Sequence, residues 1–412
     1  MTVSDVIPER DTATMSSPAG RVVIVGAGAA GVATAEALRE NGFPGEILLI
    51  GEEPHLPYDR PPLSKQLLAG SEGFDFVQLA TESTWTDSLT FLLGRRATAL
   101  DVVDRRVRID DHEWISYDTL VIATGVKPRR LPGTAGADGV LTLRTYDDAI
   151  RLRDRLKPGA RVVVIGAGFI GLEVAATASK ASCGVDVVEF ATSALKGRFP
   201  EEFAARIVSQ HRDRGTRFHF GRTVATWRTR AGIITAVDLD DGTTIDADVV
   251  VVGIGTVPAT NWLDDSGLAL SNGVVCDDDG RAADGVYAVG DVANWYDPRI
   301  ARHNRVEHRL SAGEQARIVA AVIADRDHGE LDLPFFWTDQ YDDKWQVYGY
   351  SAPDAEVEIV LDDPAANRIV ALLRRGDRIE AVLGRNAAKL LLPYRRQLRA
   401  AAGAIRVPTR LP

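Results

Sequence analysis

A β-branched run, Val22 to Val25, stops at a glycine turn, and apolar positions then return at helical spacing through Val32, Ala33, Ala37 and Leu38. The segment RVVIVGAGAAGVATAEALRE therefore predicts strand, turn and helix, and the following EILLIGEE predicts another strand. The same grammar returns in ARVVVIGAGFIGLEVAATASKASCGVDVVEF. DTLVIATG and VYAVGDVA add two short apolar strands, each running into a glycine. From Leu333 onward, VEIVLDD and RIVALLRRGDRIEAVLG read as antiparallel strands, followed by a helix from Asn386 to Ala402.

The turns carry the first chemistry. Gly26, Gly28 and Gly31 fit the spacing in which one glycine makes a tight turn, the next admits a pyrophosphate and the third lets helix and strand pack closely. Glu52 falls twenty-one residues after Gly31, where an acid accepts hydrogen bonds from a ribose diol. Gly166, Gly168 and Gly171 repeat the spacing, and Glu189 follows eighteen residues on. The chain is thus expected to be α/β, with two Rossmann-like dinucleotide-binding domains and a C-terminal α+β domain. A chain that binds two dinucleotides is expected to move electrons between them. Phe190 and Ala191 follow Glu189, where an enzyme using the 2′-phosphorylated cofactor generally presents arginines, which favours NADH. Lys196 and Arg198 lie close enough to keep some NADPH use open.

Bulk properties narrow the setting. At 412 residues the chain exceeds a single core, and no apolar run reaches a membrane span. Residues 1–19 lack the apolar stretch of a secretion signal and read as a disordered extension. A net charge of −10 argues against nucleic acid as a partner. Cys183 and Cys276, the only cysteines, have no disulfide, dithiol or metal spacing, which fits a soluble protein of the reducing cytoplasm with no metal.

With these motifs in place, the chain from about Arg21 to Leu390 resembles the FAD-dependent pyridine nucleotide-disulfide reductases, whose architecture is glutathione-reductase-like. PYDRPPLSK (Pro57 to Lys65) is similar to the ferredoxin reductase group that includes putidaredoxin reductase and the biphenyl dioxygenase reductases. LRTYDDA, GFIGLEVA, VVGIGTVPAT, VEHRLSAGEQA and FFWTDQYD match as well. Disulfide-reducing relatives place a cysteine near Pro61 to Lys65; none precedes Cys183 here, so electrons would pass directly to an external acceptor.

The resemblance implies that the first fingerprint holds FAD and the second NADH. It assigns Ala30, Glu52, Arg60, Lys65, Ala97, Thr124, Gly125, Arg144, Gly290 and Asp291 to the flavin side, with Arg309 offering a backbone N–H to the pyrimidine end. Glu173 and Gly253 go to the nicotinamide side. Many relatives carry an apolar residue at Arg309 and a serine at His308, so this flavin edge is expected to be more polar. Lys65 is expected to pair with Glu173 beside the nicotinamide path, although either residue alone also reads as an ordinary exposed side chain. Trp337 reads equally as a cover for the flavin or a core anchor.

The implied domain order is discontinuous: residues 20–132 and 259–332 for FAD, 133–258 for NADH and 333–412 at the C-terminus, with hinges near Pro132 and Pro258. The implied partner is a small two-iron, two-sulfur ferredoxin that serves a cytochrome monooxygenase or ring-hydroxylating dioxygenase. Arginines of YRRQLRAAAGAIR are candidates for steering such an acidic partner, or else a solvated helix face. NADH oxidase and a flavoprotein resembling apoptosis-inducing factor, which senses NADH, are the competing readings.

Overall fold

The computed structural model describes residues 20–79, 89–133, 137–350 and 355–403; the proposed extension at 1–19 lies outside them. Two parallel sheets organise the chain. In the first, the strand Arg21–Val25 sits between Glu46–Gly51 on one side and Thr119–Ile122 on the other. Leu89–Leu93 and Val286–Ala288 extend it in parallel, and Arg281–Ala283 closes one edge antiparallel. In the second, Arg161–Ile165 sits between Gly184–Glu189 and Val249–Val252, with Arg217–Phe220 and Val140–Leu141 outside, all parallel.

The sequence repeat is thus a repeat of topology. In each sheet the strand entering the glycine turn is central, and successive connections leave to opposite sides of it, which opens a crevice at the strands' C-terminal ends. Each half also carries a three-stranded antiparallel meander, over residues 97–116 in one and 224–246 in the other. The crossings between the halves, expected near Pro132 and Pro258, run beside each other: Val126–Pro128 pairs antiparallel with Thr256–Pro258.

Helix and strand pack closely because the turns are glycine. A Cβ on Gly31 would stand 1.9 Å from the Gly26 carbonyl oxygen, and one on Gly171 would stand 2.1 Å from that of Gly166. Gly26 and Gly166 themselves have φ of 122° and 102°, a region closed to other residues without strain.

The C-terminal sheet has five antiparallel strands, in the order Phe335–Gln340, Asp343–Gly349, Arg378–Arg385, Arg368–Arg375 and Glu356–Asp363. The first two were not read as strands in the sequence. Nor does RIVALL alternate: Ile369 to Leu373 are all buried, because this sheet is covered on both faces. One face shares the core of the second parallel sheet, where Trp345 meets Phe199 and Phe203. The other packs under Leu391 and Leu398 of the helix Ala388–Gly403. That helix begins two residues later than predicted, because Asn386 adopts φ 50° and its side chain bonds the Lys344 N–H and the Asp343 carboxylate instead. Among the described residues, no helix is long and apolar enough to cross a membrane.

Candidate active site

A cleft of about 2380 Å³ runs between the two parallel sheets and under the C-terminal sheet. That is more than twice the upper size of about 1,000 Å³ for a single small-ligand pocket, so it has room for two dinucleotides. Three of the longer helices begin at its wall: Ala29–Glu40, Phe169–Lys180 and Arg309–Ile323. Their N-cap residues, Gly28, Gly168 and His308, supply no side-chain cap. Each therefore turns first-turn N–H groups and the positive end of its dipole toward the cleft, which suits two pyrophosphates and an electron-rich ring edge.

Of the residues assigned in the sequence to cofactors or catalysis, all but one line this cleft: Gly26, Gly28, Ala30, Glu52, Arg60, Lys65, Ala97, Thr124, Gly125, Arg144, Gly166, Gly168, Gly171, Glu173, Glu189, Gly253, Gly290, Asp291, Arg309 and Trp337. Gly31 instead lies in the contact between helix and strand.

On the first cradle, Glu52 is half exposed and lies 3.5 Å from Arg96. Arg60 pairs with Glu53 at 2.9 Å and donates to the Arg144 carbonyl at 3.2 Å. The Arg144 guanidinium meets Asp291 at 3.2 Å; burial and the neighbouring Arg60 charge pull its pKa below the usual arginine range. Thr124 donates to the Ala259 carbonyl at 3.0 Å, tying the two crossings together. The Arg309 guanidinium pairs with Asp59 at 2.6 Å, and its backbone N–H belongs to the first turn of the helix, where it has no partner within the helix. His308 packs on Phe336 at 5.3 Å, and desolvation lowers its pKa to about 4. Burial opposes ionisation of Glu307, yet the Thr256 hydroxyl and Arg305 hold its carboxyl below the ordinary range.

On the second cradle, one Glu189 oxygen accepts from the Ala167 N–H at 2.6 Å and the other from the Ala191 N–H at 2.8 Å. Each oxygen keeps acceptor capacity for a ribose hydroxyl. Phe190 stands 78% exposed. Lys196 and Arg198 line the same region, the former donating to Thr192 at 3.1 Å. Arg222, not singled out in the sequence, joins them while paired with Asp241 at 2.7 Å.

Between the cradles, Lys65 and Glu173 form an ion pair at 3.1 Å whose side chains are 13% and 4% exposed. Glu173 also accepts from the Ser64 hydroxyl, from Thr338 Oγ1 at 2.7 Å and from the Asp339 N–H at 3.3 Å. Sequence reasoning missed Ser64, Thr338 and Asp339. The available signal was the strand FFWTDQ, where period two puts Phe336, Thr338 and Gln340 on one face. Trp337, on the opposite face, stacks on Phe335 at 5.8 Å at the cleft wall, whereas the fully buried tryptophans are Trp295 and Trp345. No cysteine lines the cleft among the described residues; Cys276 is buried and Cys183 is bonded to the Lys157 carbonyl elsewhere. The candidate docking arginines Arg395 and Arg399 both pair with Asp332, just before the C-terminal domain, which holds that carboxyl down at about 2 against the cost of its burial.

Comparison with known proteins agrees with this geometry. Residues 20–316 match the family model for pyridine nucleotide-disulphide oxidoreductases, and residues 335–407 match that for a reductase C-terminal domain. The chain is 38% identical over 395 residues to the anthranilate 1,2-dioxygenase system ferredoxin–NAD(+) reductase component of Burkholderia cepacia, covering 94% of this chain and 96% of that one. It is 36% identical to putidaredoxin reductase of Pseudomonas putida, covering 88% and 87%. Among solved structures, the covalent putidaredoxin reductase–putidaredoxin complex aligns with a TM-score of 0.89 at 33% identity over 92% of this chain and 93% of that one. The chain belongs to the pyridine nucleotide-disulphide oxidoreductase family and carries its reductase C-terminal domain.

Proposed function

We propose that this chain takes electrons from NADH onto bound FAD and passes them to a small two-iron, two-sulfur ferredoxin that supplies a terminal oxygenase. The observation that carries the reading is the buried Lys65–Glu173 pair between two glycine cradles, in a cleft lined by no cysteine among the described residues. With no thiol in the cleft to relay electrons, the acceptor is an external molecule. The relatives named as ferredoxin–NAD reductases support that choice.

The flavin, when bound, supplies two-electron uptake and one-electron release, and the protein supplies position and charge. The residues fit both cofactors. The N-terminus of Ala29–Glu40 would hold the pyrophosphate of FAD and Glu52 the adenosine ribose by its diol, while Arg60, Arg144 and Asp291 line the middle of the same run. The Arg309 N–H would meet the pyrimidine edge, with its own charge offset by Asp59. The N-terminus of Phe169–Lys180 and the Glu189 carboxylate would hold NADH, the latter by its diol. Lys65, paired with Glu173, puts its ammonium into the cleft where negative charge would accumulate on reduction.

Anaerobic mixing of the purified yellow protein with NADH or NADPH, followed by oxidised two-iron ferredoxins, tests the reading. Fast bleaching by NADH and onward transfer is expected. A long-lived reduced complex that reduces no ferredoxin overturns it.

A further inference from the structure

The inner face of Phe335–Gln340 presents a polar pair where apolar side chains would pack at no cost in hydrogen bonds. Thr338 and Gln340 are both 0% exposed, and so is His211 on the facing helix Glu201–Arg212. A buried hydroxyl or amide is tolerated only when its partners are supplied. Here they are supplied in a line. Tyr341 Oη meets His211 Nδ1 at 3.2 Å, and His211 Nε2 meets Gln340 Oε1 at 2.9 Å. Gln340 Nε2 donates to Thr338 Oγ1 at 3.2 Å, and Thr338 Oγ1 donates to Glu173 Oε1 at 2.7 Å.

The polarity of the line is fixed from one end. Because the Gln340 amide donates to Thr338, its oxygen must accept from His211, which puts the imidazole proton on Nε2 and leaves Nδ1 to accept from the Tyr341 hydroxyl. Desolvation keeps His211 neutral, its pKa lowered to about 4. Every donor then points toward one carboxylate, and successive bonds of one sense reinforce each other. That carboxylate receives Ser64 and Lys65 from the first half, and Thr338 with the Asp339 N–H from the C-terminal sheet. Two separate parts of the chain thus converge on Glu173, which stands on a third.

We propose that Thr338 and Gln340 are positioning residues for the Lys65–Glu173 pair, fixing the carboxylate that in turn sets where the Lys65 ammonium stands in the cleft. The inference rests on the flavin reductase reading above and assigns the C-terminal sheet a part in tuning the flavin. Removing the Thr338 hydroxyl takes a donor from the carboxylate, leaves its negative charge less compensated, and frees it to follow Lys65 out of place. Both effects make the surroundings of the ring more negative.

The test uses the holoprotein and compares Thr338→Val, which keeps shape but loses the hydroxyl, with Thr338→Ser, which keeps the hydroxyl. The midpoint potential of the bound flavin, by dye equilibration, and the single-turnover rate of reduction by NADH are read for each. Thr338→Val is expected to shift the potential to more negative values and slow reduction about tenfold, the scale of one hydrogen bond to a charged group. Thr338→Ser is expected to restore both. A wild-type potential and rate in Thr338→Val, or a Thr338→Ser as impaired as Thr338→Val, overturns the proposal. If valine prevents folding, Thr338→Ala against Thr338→Ser carries the same comparison. Wild-type protein that NADH does not reduce would sink the functional reading instead, so the two failures are distinct.

Discussion

Glu189 makes the nicotinamide preference a matter of charge that can be worked through. Its carboxylate is held at both oxygens by backbone N–H groups, so it cannot swing aside to admit a phosphate. A 2′-phosphate on the ribose would put about two negative charges beside it. At roughly 5 Å and an effective dielectric of about 20, each charge pair costs about 3 kcal/mol, which is a hundredfold or more in preference for NADH. Lys196, Arg198 and Arg222 nearby offset part of that, and Arg222 less than the others because Asp241 already holds it. Glu189→Gln removes the charge while keeping an oxygen for one of the two N–H groups; Glu189→Ala removes both. The ratio of kcat/KM for NADH over NADPH, measured by dye reduction at low ionic strength, is expected to fall at least tenfold in Glu189→Gln and further in Glu189→Ala. An unchanged ratio in both would refute the electrostatic reasoning and leave selection to the neighbouring cations.

Other outcomes follow from the same contacts. Lys65→Ala should slow flavin reduction by NADH while FAD stays bound, because it takes the ammonium paired with Glu173 out of the cleft and leaves the glycine cradle intact; a wild-type stopped-flow rate would contradict this. Gly31→Ala should yield protein without flavin or without fold, since its methyl would meet a backbone oxygen at 1.9 Å, and a normal yield of yellow protein would be the contrary result. His211 is lowered from 6.5 to about 4, so the unfolded chain takes up its proton first as pH falls. Stability should therefore drop between about pH 6.5 and pH 4, by about 3 kcal/mol from this residue, and His211→Gln should flatten that part of the melting profile; His308 acts in the same direction.

The glycine turns were legible because their demands are local: positive φ and the absence of a Cβ leave few substitutes, and the paired acids follow at a strand's length. The Lys65–Glu173 pair required the family resemblance, since 108 residues separate its members. What the sequence did not disclose depends on which surfaces meet. FFWTDQ and DKWQVYG were not read as strands, their inward polar residues hiding the alternation. Ile369 to Leu373 gave no period because both faces of their sheet are covered. Thr338 carried no signal of its own, because its partner Glu173 comes from a helix 165 residues away. Arg395 and Arg399 looked free for a partner until Asp332 folded beneath them.

The paired crossings at Val126–Pro128 and Thr256–Pro258 have a consequence for the order of events at the ribosome. Val286–Ala288 completes the first sheet by joining Thr119–Ile122, and 163 residues (123 to 285) are made between them. At about 5–20 residues per second, that leaves the first half waiting roughly ten to thirty seconds for its last inner strand. The intervening half has all its strands within one continuous stretch and can close first. Once Thr256–Pro258 zips onto Val126–Pro128, the finished middle unit draws the two distant pieces of the outer one together and shortens the loop they have to close. In that order of events the middle unit would act as a folding clamp for the outer one during synthesis.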